Sequence, residues 1–209
     1  MVRILIADDH TVVRRGLKQI LLEEFPSAFI EEVANAEELI KKVMKNEWDV
    51  IISDLSMPGR SGLESLQQIK QFHPKLPVLI LSVYPEEQYA IRVLKAGASG
   101  YLNKDLAPEE LVKAVNCVLV GKKYITPSVA EKLASALDLD SEKALHEFLS
   151  DREFEVLKLL AAGKSVSDIA EQLSLSVTTV STYRARIMTK MNLKTNADLT
   201  LYAIEHKLL

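Results

Sequence analysis

The chain has 209 residues, a formal net charge of -3, 48% apolar residues and 26% charged residues. That balance is the one expected of a folded globular protein with room for one domain of ordinary size and a small second one. It excludes a broadly basic nucleic-acid coat, although a local basic face fits inside a near-neutral total.

Cys117 is the only cysteine, which excludes an internal disulfide and a cysteine-cluster zinc site. Its place among Val115, Val118 and Leu119 on a helical pattern predicts an inert core thiol. The amino terminus carries no apolar core of signal-peptide length and no run is long enough to cross a bilayer, so a reducing cytoplasm is the expected setting.

Short apolar runs mark the strands. Ile4-Leu5-Ile6-Ala7 enters Asp8 and Asp9. A second helix opens on a capping box, Asn35 with Glu38, and carries Leu39, Ile40, Val43 and Met44 on one face. Val50-Ile51-Ile52-Ser53 then enters Asp54. The third helix is capped by Ser61 with Glu64, and Leu63, Leu66, Ile69 and Phe72 form its stripe. Val78-Leu79-Ile80-Leu81 ends on Ser82, Gly97 suits a helix C-cap, and Gly100-Tyr101-Leu102-Asn103 ends on Lys104. Ala107-Pro108 suits the cap and first position of a further helix, whose stripe Leu111, Val112, Val115, Val118 and Leu119 stops at Gly121. Strand and helix alternate about five times before that glycine. This predicts a doubly wound α/β domain over residues 1–121.

Residues 122–148 read as a partly helical linker. A helix is expected from Ser128 to Leu137, with Val129, Leu133 and Leu137 as its stripe, before an acidic stretch around Asp138, Asp140 and Glu142. Strand signals are missing from residues 149–209. Ser150 with Glu153 forms another capping box and opens a helix that closes at Gly163. Ser165 leads a short helix, Asp168 to Leu173. The turn Ser174-Leu175-Ser176 separates it from a longer helix, Val177 to Met191, and a last helix begins near Thr195. Two short helices joined by a tight turn, the second polar outside, make a helix-turn-helix.

The runs that end on Asp8, Asp54, Ser82 and Lys104 are short enough to be strands buried on both faces of a parallel sheet, and such sheets bind ligands at their carboxyl ends. Three carboxylates, a hydroxyl and a lysine are therefore expected on one edge. Crowded carboxylates raise one another's pKa unless a cation settles the charge, and hard oxygen donors suit Mg2+. A carboxylate can also be a nucleophile in phosphoryl transfer. Asp54, on the central strand, is the natural acceptor, with Lys104 as a compact positive charge and Ser82 as a hydroxyl donor toward the bound phosphoryl group. His10 follows the acidic pair without a second histidine near it and reads as a rim residue. His73, His146 and His206 are scattered and suggest no metal site.

Asp8-Asp9, the run Asp54-Leu55-Ser56-Met57-Pro58 with Gly62 beyond it, Ser82, and Tyr101 three before Lys104 resemble the receiver domain of two-component response regulators. Leu149 through Glu153, Ile169-Ala170, Thr179-Val180 and Lys190-Met191 resemble the LuxR-type DNA-binding domain. Both in this order are similar to the NarL/FixJ branch. The resemblance implies a CheY-like, flavodoxin-like five-stranded sheet of order 2-1-3-4-5 followed by a small all-α helix-turn-helix domain. It implies phosphorylation of Asp54 by a partner histidine kinase, with Asp8, Asp9, Asp54 and the carbonyl of Ser56 as the Mg2+ set. Ser82 and Tyr101 would reorient on phosphorylation, and homodimers would bind promoter DNA.

In the DNA-binding half, helical spacing turns Thr178, Ser181, Thr182, Ala185 and Arg186 away from Val180, Ile187 and Met191, making them the candidates for base edges. Thr179 joins them through the resemblance. Thr178 and Ser181 stand where the family often has lysine, and Tyr183 where it often has histidine. Residues 149–209 hold eight Lys and Arg against seven Asp and Glu, a weak drive toward DNA that Arg184, Arg186 and Lys190 would have to carry. Arg184 lies nearer the apolar face and could equally brace the domain. Two other function classes stay open at this point. An aspartate-nucleophile phosphatase would share Asp54 and Mg2+, but Ser56 stands where such enzymes usually carry a second acid. A constitutive DNA-binding regulator would use the first domain only to dimerise.

Overall fold

In the computed structural model of the chain, residues 1–57, 62–105, 108–138 and 144–209 are described, the side chains of residues 87, 88, 132 and 134–138 excepted. The chain falls into two compact units, Met1–Leu139 and Asp140–Leu209. The predicted caps Ser61 and Ala107, and the acidic residues Asp138, Asp140 and Glu142, lie outside the described side chains.

The first unit alternates strand and helix: β1 (Arg3–Ala7), α1 (Thr11–Glu24), β2 (Phe29–Val33), α2 (Ala36–Lys45), β3 (Val50–Asp54), α3 (Gly62–Phe72), β4 (Val78–Ser82), α4 (Glu86–Lys95), β5 (Gly100–Asn103) and α5 (Pro108–Leu119). The strands form one parallel sheet of order β2-β1-β3-β4-β5. β3 and β4 are buried at every position, as strands covered on both faces must be. Alternate residues serve alternate faces. Ile4, Ile6, Val50, Ile52, Leu79, Leu81 and Leu102 pack with Leu21 of α1 and with Leu111, Ala114, Val115 and Val118 of α5. Each such side chain taken fully out of water contributes about 1.5–3 kcal/mol.

β2 is the one strand whose sequence, Phe-Ile-Glu-Glu-Val, gives no continuous apolar run. It lies at the sheet edge, where Glu31 pairs with Lys42 at 2.9 Å and Glu32 with Lys18 at 3.0 Å. An edge position tolerates such charges. Two predicted stripes reach one residue too far: Met44 and Phe72, in the last turns of α2 and α3, are each 52% exposed. Cys117 is only half-buried, so it is not the core thiol its neighbours suggested.

The first unit also continues past Gly121, where the sequence placed the start of a linker. Tyr124 bridges to Gly100, Thr126 donates to Glu86 at 2.9 Å, and α6 (Pro127–Asp138) packs against α4 with Val129 buried. The second unit is all helical: a 3-10 turn (Leu145–Phe148), α7 (Asp151–Ala161), α8 (Val166–Gln172), α9 (Val177–Met191) and α10 (Asn196–Glu205). Its core joins Phe154, Val156, Leu157 and Leu160 to Ile169, Val180, Ile187, Met191, Leu199 and Ala203. Ser150, Ser165 and Thr195 close capping boxes with Glu153, Asp168 and Asp198.

Gly62 opens α3 hard against the chain that carries Asp54. A Cβ there would stand 2.3 Å from the Asp54 carbonyl oxygen and 2.7 Å from Leu55 Cα, both backbone atoms that cannot swing aside. Gly62→Ala is expected to destabilise the first unit by about 1–3 kcal/mol, read as a lower urea midpoint; an unchanged midpoint would mean that α3 shifts freely.

Candidate functional site

The acidic edge is built by strand register. Ala7 pairs with Ser53, Asp54 with Leu81, and Ser82 with Asn103, so β1, β3, β4 and β5 end at one level. Asp8 and Asp9 leave β1, Asp54 closes β3, Ser82 closes β4 and Lys104 follows β5. The Asp8 amide donates to the Val33 carbonyl, and the Lys104 amide to the Ser82 carbonyl, which pins each turn to the neighbouring strand.

Lys104 Nζ lies 2.7 Å from Asp8 Oδ2 and 2.8 Å from Asp54 Oδ2, and both carboxylates are buried. Burial pushes the Asp54 carboxyl above its ordinary value; Lys104 and the Ser56 amide, 3.1 Å from Asp54 Oδ1, pull the other way without cancelling it. Burial also works against the Lys104 ammonium, but Asp54 and Asp8 outweigh it and hold the lysine above its ordinary value. Two buried carboxyl groups thus share one ammonium, with Asp9 as a third acid beside them. Asp9, Asp8 and Asp54 each bring an oxygen, and His10 a ring nitrogen, within 4.8 Å of one another. The Ser56 hydroxyl is buried and has no hydrogen-bond partner among the described residues.

Ser82 on β4, the strand next to that of Asp54, and Tyr101 on β5, one strand further out, are both buried. The Ser82 hydroxyl accepts from the Tyr84 amide at 3.1 Å, and the Tyr101 hydroxyl donates to the Tyr84 carbonyl at 2.7 Å. Burial pushes the Tyr101 phenol up, with Ser82 pulling in the other direction. Tyr101 is therefore already turned inward in this state.

In the second unit, α8 and α9 meet across the turn at Ser174, whose φ of 52° is left-handed. Ser176 caps α9 by accepting from the Thr179 amide, and its hydroxyl meets that of Thr179 at 2.7 Å. Thr178, Ser181, Thr182, Ala185 and Arg186 are exposed along one face of α9. Thr182 returns its hydroxyl to the Thr178 carbonyl. Two of the three candidate cations are used internally: Arg184 donates to Asn196 Oδ1 at 2.9 Å, and Lys190 pairs with Glu153 at 2.6 Å.

Residues 4–116 match the family described as response regulator receiver domain, and residues 147–203 match that of bacterial regulatory proteins, luxR family. The chain is a response regulator of the NarL/FixJ family. It is 36% identical to response regulator UvrY of Escherichia coli K12, over 100% of this chain and 96% of that protein. It is 40% identical to the oxygen regulatory protein NreC of Staphylococcus carnosus, over 99% of both chains. Among solved structures it is similar to RcsB of Salmonella enterica serovar Typhimurium bound to promoter rprA in the presence of phosphomimetic BeF3-, with a TM-score of 0.63 and 29% identity over 97% of this chain and 98% of that one. A further RcsB–DNA complex gives a TM-score of 0.58 at 31% identity over 96% of each chain. This response regulator thus joins a receiver to a LuxR-type DNA-binding domain and belongs to a family of transcription regulators. Among the described residues no helix is long and apolar enough to cross a membrane.

The structure brings together Asp8, Asp9, Asp54, Ser56 and Lys104 of the regulator, and sets Ser82 and Tyr101 beside them. Sequence reasoning missed Tyr84, whose backbone holds both Ser82 and Tyr101 and carries no side-chain signal. It also missed the approach of His10 to Asp9, 2.8 Å. His146 and His206, read as scattered, come within 5.5 Å of each other around Tyr202, whose hydroxyl lies 3.0 Å from His146 Nδ1. This aromatic group braces the 3-10 turn against α10.

Glu153 serves two partners at once, the Ser150 amide at 2.7 Å and Lys190. Burial opposes its charge, but Lys190 and Ser150 outweigh burial and hold the carboxyl below its ordinary value. A carboxyl depressed in the folded state adds stability above its unfolded value, and that stability is lost as pH falls through the folded one. Glu153→Gln is expected to cost about 1–2 kcal/mol at pH 7, with the gap narrowing as pH falls below the ordinary glutamate value of 4.5. Urea titrations at neutral and acid pH measure it; an equal gap at both would contradict the assignment.

Proposed function

We propose that Asp54 is the phosphoacceptor of this response regulator and that its phosphorylation by a histidine kinase controls binding of the second unit to promoter DNA. The observation that carries this reading is the buried Asp54 carboxylate at the end of the central strand, 2.8 Å from Lys104 and beside Asp8 and Asp9. A carboxylate oxygen of Asp54 attacks the phosphorus of a phosphohistidine, forming an O–P bond as the N–P bond breaks and the leaving imidazole takes up a proton.

The donor set fits a hard divalent cation: clustered carboxylates outnumber the one ammonium, and burial makes Asp54 costly to ionise unaided. Asp8, Asp9, Asp54 and the Ser56 carbonyl would hold Mg2+, which when bound supplies neutralising charge for the incoming phosphoryl oxygens. Lys104, already ion-paired in the pocket, would exchange carboxylate contacts for the new phosphoryl oxygens. Ser82 would release the Tyr84 amide and donate to the phosphoryl group, and Tyr101 would hold the loop that Tyr84 anchors.

Phosphorylation adds roughly two negative charges at the strand ends. Coupling of such a change to dimerisation and DNA affinity is typically worth about 1–3 kcal/mol, with paired α9 helices reading half-sites about one DNA turn apart. Ser56 stands two residues after Asp54, where a turnover phosphatase would need an acid, which favours a regulator over an enzyme. The cytoplasm, where kinase, Mg2+ and promoter meet, is the matching location.

Treating the protein with acetyl phosphate and Mg2+ should add one phosphoryl group to the intact mass of wild type and none to Asp54→Asn. Addition at another residue, or equal DNA affinity of phosphorylated and untreated protein, would overturn the proposal. On α9, Thr178, Thr179, Ser181, Thr182, Ala185 and Arg186 would approach DNA, while Arg184 and Lys190 act mainly through the fold. Arg186→Ala is expected to weaken operator binding by about 1–3 kcal/mol without lowering stability. Arg184→Ala should instead lower the unfolding midpoint, and the reverse pattern in paired binding and unfolding titrations would exchange the two roles.

A further inference from the structure

We propose that His10 is a nitrogen ligand which the acidic pocket offers to first-row transition ions, so that it raises their affinity relative to Mg2+. The inference rests on the reading of the pocket as a cation site.

His10 occupies the N-cap position of α1, yet its side chain makes no capping bond. At the corresponding positions of α2, α7, α8, α9 and α10 the chain places Asn35, Ser150, Ser165, Ser176 and Thr195, each accepting from a backbone amide. A histidine is a poor choice for that task. Its ring turns back over the acids instead. Nδ1 stands 2.8 Å from Asp9 Oδ1 and 3.3 Å from Asp8 Oδ1, while the side chain is 66% exposed on its outer side.

The two cationic or basic groups of the pocket address different edges of Asp8. Lys104 takes Oδ2 of Asp8 and Oδ2 of Asp54; His10 faces Oδ1 of Asp8 and of Asp9. The Oδ1 edge of Asp8 also accepts the His10 amide at 2.7 Å, so an ion held beside Asp9 on this side, away from Lys104, would have the His10 ring as its nearest nitrogen donor. Ligand atoms around an ion at roughly 2.0–2.2 Å lie up to about 4 Å apart, so the observed span of 4.8 Å needs only a small contraction of exposed His10 and half-buried Asp9. An imidazole nitrogen adds little for Mg2+, which takes oxygen, but favours Co2+, Ni2+ and Zn2+ strongly. A pocket of carboxylates alone would follow the same order of ions less steeply. His10 would thus let the identity of the bound ion, and not only its presence, bear on the chemistry of Asp54.

Calorimetric titration of the full chain with Co2+ and with Mg2+, at one pH, tests this with His10→Ala, which removes the donor without removing a cap. An Asp9→Asn/Asp54→Asn double variant sets the background from His73, His146, His206 and Cys117. The expected result is a fall of about tenfold in the ratio of Co2+ to Mg2+ affinity, together with an altered visible spectrum of pocket-bound Co2+. An unchanged ratio while Mg2+ still binds above background would overturn the role of His10 and leave the cation site standing. Absence of either ion above background in the wild type would remove both.

Discussion

The contact on which this receiver turns is the ammonium of Lys104 held between Asp8 and Asp54, at 2.7 and 2.8 Å. Three ionised groups at this depth are costly unless each is answered, and losing one member leaves a buried charge uncompensated. Their meeting depends on register alone, since the three residues come from the ends of three different strands. A slip of one residue in any pairing would turn that strand's side chains to the opposite face. The all-buried β3 and β4 prevent it, because the slip would cost every apolar contact on both faces at once.

Burial at the strand ends also sets the chemistry. Asp54 keeps a carboxyl raised by desolvation next to a lysine raised by its acids, so charge entering the pocket meets partners already in place rather than solvent. The backbone of Tyr84 then joins this edge to the rest of the unit. It receives the Tyr101 hydroxyl, donates to Ser82, and leads into α4, where the Tyr84 and Tyr89 rings stack at 4.9 Å. α4 in turn carries α6, through the bond between Thr126 and Glu86.

The DNA-binding unit divides its few cations between fold and surface. Lys190 answers the capping glutamate of α7, and Arg184 ties α9 to Asn196 at the start of α10, so both fix the angle of α9 at the expense of free charge. Arg186 remains on the exposed face among small hydroxyl and methyl side chains. Such a face suits close approach to base edges more than strong attraction to phosphate.

Much of this was legible from the residues. The apolar runs ending on Asp8, Asp54, Ser82 and Lys104 revealed a parallel sheet and the side chains at its edge, because a strand buried on both faces has no other way to be written. The Ser150–Glu153 capping box marked the start of α7, and Asn35 that of α2, although Glu38 reaches back to the Ala34 amide and leaves that box half formed. β2, with its two glutamates, and α6, taken as part of a linker, were harder to read, for their burial depends on neighbours distant in the chain. The sequence by itself determined the order of elements, the acidic edge and the outward face of α9, all of which follow from periodicity and strand termination within a few residues. Only the tertiary structure decided that Tyr101 points inward to the Tyr84 carbonyl, that His10 faces the acids, and that Arg184 and Lys190 serve the fold. Those outcomes rest on distances between residues far apart or on backbone groups common to every residue, and neither leaves a local pattern.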